Sequence, residues 1–168
     1  KFEQIAAYSL YAWRDVVGAD ANRIRGIQRV QKRLTEATRV RVSAQPEHQI
    51  LSNQQTYGLL GLYSIASANS GLLTTDRRHL TDETRQFVDQ VYLQSFRHGA
   101  EQVRSILLND RDFEPKGRDR VWSRALAEML GRKINVTERD FYARQLLAGG
   151  VPGSLQDQCW KAIATVND

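Results

Sequence analysis

Apolar residues recur at three- and four-residue spacing through almost the whole chain, and that regularity leaves little room for anything but helices. Residues 2–17 put Ile5, Tyr8, Ala12 and Val16 on one face, widened by Leu10, Trp13 and Val17, and Gly18 stands where such a helix should stop. Residues 20–38, DANRIRGIQRVQKRLTEAT, align Ile24, Ile27, Val30, Leu34 and Ala37 in a second stripe. A long helix is expected over 82–108, capped by Thr81 or Asp82, with Phe87, Val88, Val91, Tyr92, Phe96, Val103 and Ile106 facing inward. Further helices are expected over 118–130 (Val121, Trp122, Leu126, Met129), from Thr137 to the Gly149-Gly150 stop, and from Ser154 onward. The three prolines, Pro46, Pro115 and Pro152, all fall between these segments, where a residue that breaks helices belongs.

The strand signal is slight. Val40-Arg41-Val42-Ser43 alternates, but it is short and Pro46 follows closely. The fold class expected is therefore all-α: a single bundle-like domain over 1–168 with about seven helices and little or no sheet. The least polar stretch, residues 53–73, reads as a buried helix through Tyr57, Leu60, Tyr63 and Ile65. Gly58, Gly61, Ser64 and Ala68 on it would let a neighbouring backbone approach closely.

Length and composition fit one globular unit, since 41% hydrophobic and 26% charged residues exclude wholesale disorder. Cys159 is the only cysteine, so no internal disulfide can form, and its helical surroundings predict a buried thiol. No run approaches the roughly 20 apolar residues that span a bilayer. No membrane partner is expected, and a bacterial-type cytoplasmic protein is the default reading. The chain opens Lys1-Phe2-Glu3 and closes inside a helical pattern, as expected of a piece excised from a longer protein with other domains or subunits.

The charge is uneven. Arginines outnumber lysines nineteen to five, and between Arg23 and Arg41 seven cations face one acid, Glu36, in a chain of net charge +5. On the second helix Arg25, Arg29 and Lys32 lie opposite the apolar stripe, with Arg33 at its edge, and Arg39 and Arg41 follow. Planar guanidinium forks match phosphate or carboxylate oxygens, so the expected partner is a nucleic-acid backbone or an acidic protein surface. The plainer alternative is a solvated face whose cations pair with acids from other helices.

Residues 70–88, SGLLTTDRRHLTDETRQFV, carry a second pattern: Gly71-Leu72 at a helix end, a turn holding Arg77 and Arg78, then Leu80-Thr81 capping a helix that contains Arg85. This stretch resembles winged-helix regulators, in which a basic turn forms the wing. The resemblance implies DNA binding with Arg77 and Arg78 against phosphate or the minor groove. It covers fewer than twenty residues, and the preceding helix offers Tyr57, Ser64, Ser67 and Asn69 but no Arg or Lys.

Other chemistry finds little support. Asp112-Phe113-Glu114-Pro115-Lys116 has the Glu-x-Lys spacing of a nuclease family that needs a strand to project both side chains together, and here Pro115 intervenes. It reads as an exposed loop. His48, His79 and His98 are isolated from other metal-ligating residues, and phosphate-loop and dinucleotide fingerprints are missing, so neither metal nor cofactor is expected. Trp13, Trp122, Tyr142 and Trp160 lie on apolar stripes and read as core. The function expected is a nucleic-acid-associated helical module gripping phosphate through residues 20–41. The alternatives are a protein-interaction or scaffold domain of a bacterial assembly and a winged-helix-like regulator. An enzyme is the less favoured class, and would need a site assembled from distant helices.

Overall fold

The computed structural model describes residues 1–18, 20, 24–94, 96–149 and 152–166. Helix accounts for 64% of the structure, with one two-stranded sheet among the described residues, so the chain is all-α as its periodicity dictates. The helices are α1 (Phe2–Val17), α2 (Ile27–Glu36), α3 (Gln54–Tyr57), α4 (Leu59–Asn69), α5 (Asp82–Val88), α6 (Arg97–Leu108), α7 (Arg120–Gly131), α8 (Val136–Tyr142) and α9 (Leu155–Val166). The strands are β1 (Val40–Val42) and β2 (Arg111–Phe113). The chain forms two compact units, residues 1–61 with 92–132, and residues 62–91 with 133–168.

In the first unit α1 packs along α7 and also touches α2. Ile5 and Tyr8 of α1, Val30 of α2, Ile106 of α6 and Leu126 of α7 are essentially fully buried in one core. β1 and β2 close over it as an antiparallel pair in which Val40 faces Phe113, Arg41 faces Asp112 and Val42 faces Arg111. Strand alternation explains the result: Val40, Val42 and Phe113 turn inward, while Arg41 and Asp112 meet on the outer face. Phe113 rests against Trp122 with ring centroids 5.0 Å apart. Gln4, fully buried, binds the chain after β1 by donating to the carbonyls of Ser43 and His48, each at 2.9 Å, and accepting from the Ser43 N–H.

In the second unit Phe87 of α5 stacks on Phe141 of α8 at 3.8 Å, and Tyr142 meets Phe87 edge-on. Gly71, left-handed at φ 74°, ends the α4 region, and Leu73 bridges Leu80 in a small antiparallel hairpin. The Thr81 side chain then caps α5 by accepting from the Thr84 N–H. Asn135 and Glu138 form a reciprocal capping box at the start of α8. At α9 the Asp157 carboxylate accepts from Lys161 Nζ and from the Gly153 N–H, both at 2.7 Å.

These bonds, the Lys161 ammonium foremost and the Gly153 amide next, hold the Asp157 carboxyl below its ordinary value of 3.8. A depressed carboxyl contributes stability above the unfolded value, and that contribution disappears as pH falls through the folded one. An NMR titration of the Asp157 carboxyl carbon is therefore expected to show its midpoint below 3.8. A midpoint at or above that value contradicts the bonding.

Several elements differ from the sequence expectations. The second helix begins at Ile27 rather than 20, because Gly26 takes a left-handed φ of 73° and a Cβ there would stand 2.5 Å from the Ile50 carbonyl oxygen. Arg25 thus sits in a turn; Arg23 lies outside the described residues. The long helix expected over 82–108 is divided into α5, a five-residue π segment at Asp89–Leu93, and α6. The Phe96 ring lies over Gly99, where any side chain would collide with it. Residues 112–116, expected as an exposed loop, begin inside β2, and Phe113 and Pro115 are buried. The stretch expected to be buried over 53–73 leaves Tyr57, Leu59, Tyr63 and Ile65 about half exposed; the Leu60 side chain lies outside the described set. A helix that is apolar all round carries no polar face to say which side is covered. Val16 and Val121 are exposed for all their place on the expected stripes, and so is Cys159. Trp13 and Trp122 are buried as expected, whereas Tyr142 and Trp160 are only half buried. Gly150 and the His98 side chain are outside the described set.

Candidate nucleic-acid interface

The arginine-rich segment runs from the turn at Arg25, through α2, to the outer face of β1. Val30 anchors α2 in the core and Ile27 and Leu34 flank it, which fixes the opposite side of the helix toward solvent. Arg29 and Lys32 lie on that exposed side, and Arg25 is exposed beside it.

The cations differ in what holds them. Arg25 donates to the Tyr57 carbonyl at 3.3 Å and Arg29 to the Gln49 carbonyl at 3.4 Å. A carbonyl positions a guanidinium without neutralising it, so both keep their full charge. Lys32 reaches Glu36, one turn on, only at 3.9 Å with both side chains largely exposed. Such a pair is worth a fraction of a kcal/mol (about 0.3–0.5).

Arg33 differs from the others. Its guanidinium donates to the Tyr8 hydroxyl (2.9 Å) and to the carbonyls of His48 (2.6 Å), Glu47 (2.6 Å) and Gln49 (3.3 Å). With that many of its donors committed, Arg33 ties residues 47–49 to α1 and α2, and its role here is to position the segment.

Arg39 and Arg41 share one carboxylate. Asp112 lies 3.5 Å from Arg39 Nε and 3.4 Å from the Arg41 guanidinium, so two guanidiniums face a single acid. Beside them a shallow cleft of about 210 Å³ is lined by Arg33, Glu36, Arg39, Arg41 and His48. Sequence reasoning missed both Asp112 and His48 here. Asp112 arrives through strand pairing from 71 positions away, and His48 through the 3-10 turn Pro46–His48.

Arg77 and Arg78 belong to the second unit. They occupy the tip of the Leu73–Leu80 hairpin, both exposed, with Arg77 in the left-handed region at φ 60°. Asp76 shapes the tip by accepting from the Thr74 hydroxyl and the Arg78 N–H. Those bonds, the Thr74 hydroxyl first, hold the Asp76 carboxyl below the usual carboxylate range. The ladder is a single bridge, so the turn is a tight hairpin.

The structure therefore brings Arg25, Arg29, Lys32, Arg33, Arg39 and Arg41 into one unit and leaves Arg77 and Arg78 in the other. Neither known family models, nor curated proteins, nor solved structures provide a match to this chain. Among the described residues no three His, Cys, Asp or Glu side chains gather as a metal set, and no helix is long and apolar enough to cross a membrane. Glu114 follows β2 directly, and Lys116 lies in the turn beyond Pro115.

Proposed function

We propose that the segment from Arg25 to Arg41 binds the phosphodiester backbone of nucleic acid, independently of base sequence. The observation that carries this reading is the state of Arg25 and Arg29: both are exposed and oriented by neutral carbonyl oxygens, with no carboxylate at either among the described residues. Lys32 extends the surface along α2. Arg39 and Arg41 extend it past the helix, where their exposed pairing with Asp112 is weak enough for a phosphate to displace. Phosphate contacts fix register without reading bases. Arg77 and Arg78 provide a second, separate basic tip for the same kind of partner.

The charge-reversed double variant Arg25→Glu with Arg29→Glu tests the reading. Retention on immobilised heparin is expected to be lost at physiological salt while the far-ultraviolet circular dichroism stays that of the parent. Undiminished retention removes the surface from consideration.

A second reading, a protein-interaction module, is supported by the half-exposed Tyr63 and Ile65 of α4 in the second unit. Association through that face would be nearly indifferent to salt, which separates it from backbone binding.

A further inference from the structure

A larger cleft of about 440 Å³ opens in the first unit, between α1, the C-terminal end of α2 and the turn that follows β2. Its apolar lining is Ala12, Leu34 and Pro115, and its polar lining is Tyr11, Arg14, Thr35, Thr38, Glu114 and Lys116. The volume falls within the range of pockets that hold small organic ligands and is far more than one ion needs.

The turn is built rigidly. Asp119, itself buried, accepts from the Glu114 N–H at 2.9 Å. The N–H groups of Gly117 and Asp119 donate back to the Glu114 carbonyl, each at 3.1 Å. Ser123 donates to the Pro115 carbonyl at 2.6 Å and accepts from Trp13 Nε1 at 3.1 Å. The backbone on either side of Glu114 is thereby fixed to the core.

The charges on this fixed frame are unspent. The half-buried Glu114 carboxylate has no hydrogen-bond or ion partner among the described residues, and it lies against Gly117, where a Cβ would come within 2.7 Å of Oε2. Lys116 has no carboxylate partner there either; its ammonium stands 5.9 Å from the Trp13 ring centre. Arg14 is held over the Tyr11 ring at 4.2 Å and donates to the Tyr11 carbonyl at 2.7 Å, with only Asp15 nearby at 3.9 Å. A preorganised pocket thus presents one free acceptor, two cations and the Thr38 hydroxyl around an apolar floor, while the Thr35 hydroxyl donates to the Gln31 carbonyl at 2.9 Å.

We infer that this cleft binds a small organic molecule that carries both an oxyanion and an N–H donor group, its donor on Glu114 and its oxyanion on Lys116 and Arg14. A nucleoside monophosphate and a free amino acid share that chemistry, and the test distinguishes them. The inference does not depend on the backbone-binding surface.

The experiment is an amide NMR titration of the whole chain with guanosine monophosphate, with L-glutamine, and with inorganic phosphate alone. One of the two organic probes is expected to shift the Thr35, Lys116 and Gly117 amides saturably, with Kd below about 5 mM. Glu114→Gln is expected to weaken that binding at least about tenfold, as is Lys116→Ala, which preserves a readout should the first variant lose its dispersed spectrum. The Arg25→Glu, Arg29→Glu pair is expected to leave it unchanged. The proposal is overturned if neither organic probe saturates, if phosphate alone binds as well as they do, or if both cleft variants bind like the parent.

Discussion

Asp119→Ala is expected to destabilise the first unit by about 3–5 kcal/mol, the range for removing one partner of a buried charge pair. The carboxylate is 3% exposed and serves four donors: Arg111 at 2.7 Å, Arg118 at 3.3 Å, Trp122 Nε1 at 3.2 Å and the Glu114 N–H at 2.9 Å. Truncation strands the indole and amide donors in the core and removes the bond that anchors the turn after β2. Arg118 is more than half exposed and will find water, so Arg111, Trp122 and the Glu114 amide account for most of the loss. Asn at this position keeps two acceptor lone pairs but no charge and should recover part of the deficit. Urea denaturation followed by tryptophan fluorescence measures both. A loss under 1 kcal/mol for alanine would mean that this network does not hold the turn.

Gly26→Ala is expected to cost about 2–6 kcal/mol, from two separate effects. A non-glycine residue held at φ 73° carries roughly 1–3 kcal/mol of backbone strain. The new Cβ must also displace the Ile50 carbonyl, a backbone atom that cannot rotate away, and overpacking of that kind typically costs about 1–3 kcal/mol. Relief requires α2 to move off residues 49–50, which breaks the Arg29 bond to the Gln49 carbonyl and loosens the Arg33 clamp. The variant should therefore bind heparin more weakly as well as melt earlier. A variant as stable as the parent would contradict the packing of α2 on this loop.

The parts of the fold written in local periodicity were legible from the residues alone. α1 runs from Phe2 to Val17 with Gly18 left-handed after it, because one apolar stripe and one glycine specify the whole element. The caps at Thr81 and at the start of α8 were likewise near their expected places, being local side-chain-to-backbone bonds. What escaped depends on residues distant in sequence. Gly26 looks like an ordinary helical position until the Ile50 carbonyl is seen to occupy its side-chain space. β2 is three residues with a single fully buried apolar side chain, Phe113, and becomes a strand only because Val40–Val42 lies beside it. α4 is apolar on every side, so its pattern says that it wants covering but not what covers it.

The candidate surface divides along the same line. Exposure of Arg29 and Lys32 follows from the stripe opposite them, whereas Arg25 is exposed from the turn before α2. The clamp made by Arg33 and the shared carboxylate of Asp112 come from a loop 14 to 16 residues away and a strand 71 away, and neither leaves a trace in helical spacing.

The salt dependence of duplex DNA binding tests the central claim most directly. With three to five phosphate contacts from Arg25, Arg29, Lys32, Arg39 and Arg41, log K against log salt concentration should fall with a slope of roughly −3 to −4.5. Reversing Arg25 and Arg29 should make that slope shallower by about 2. A slope near zero for the parent chain, or one that the two reversals leave unchanged, would contradict the account.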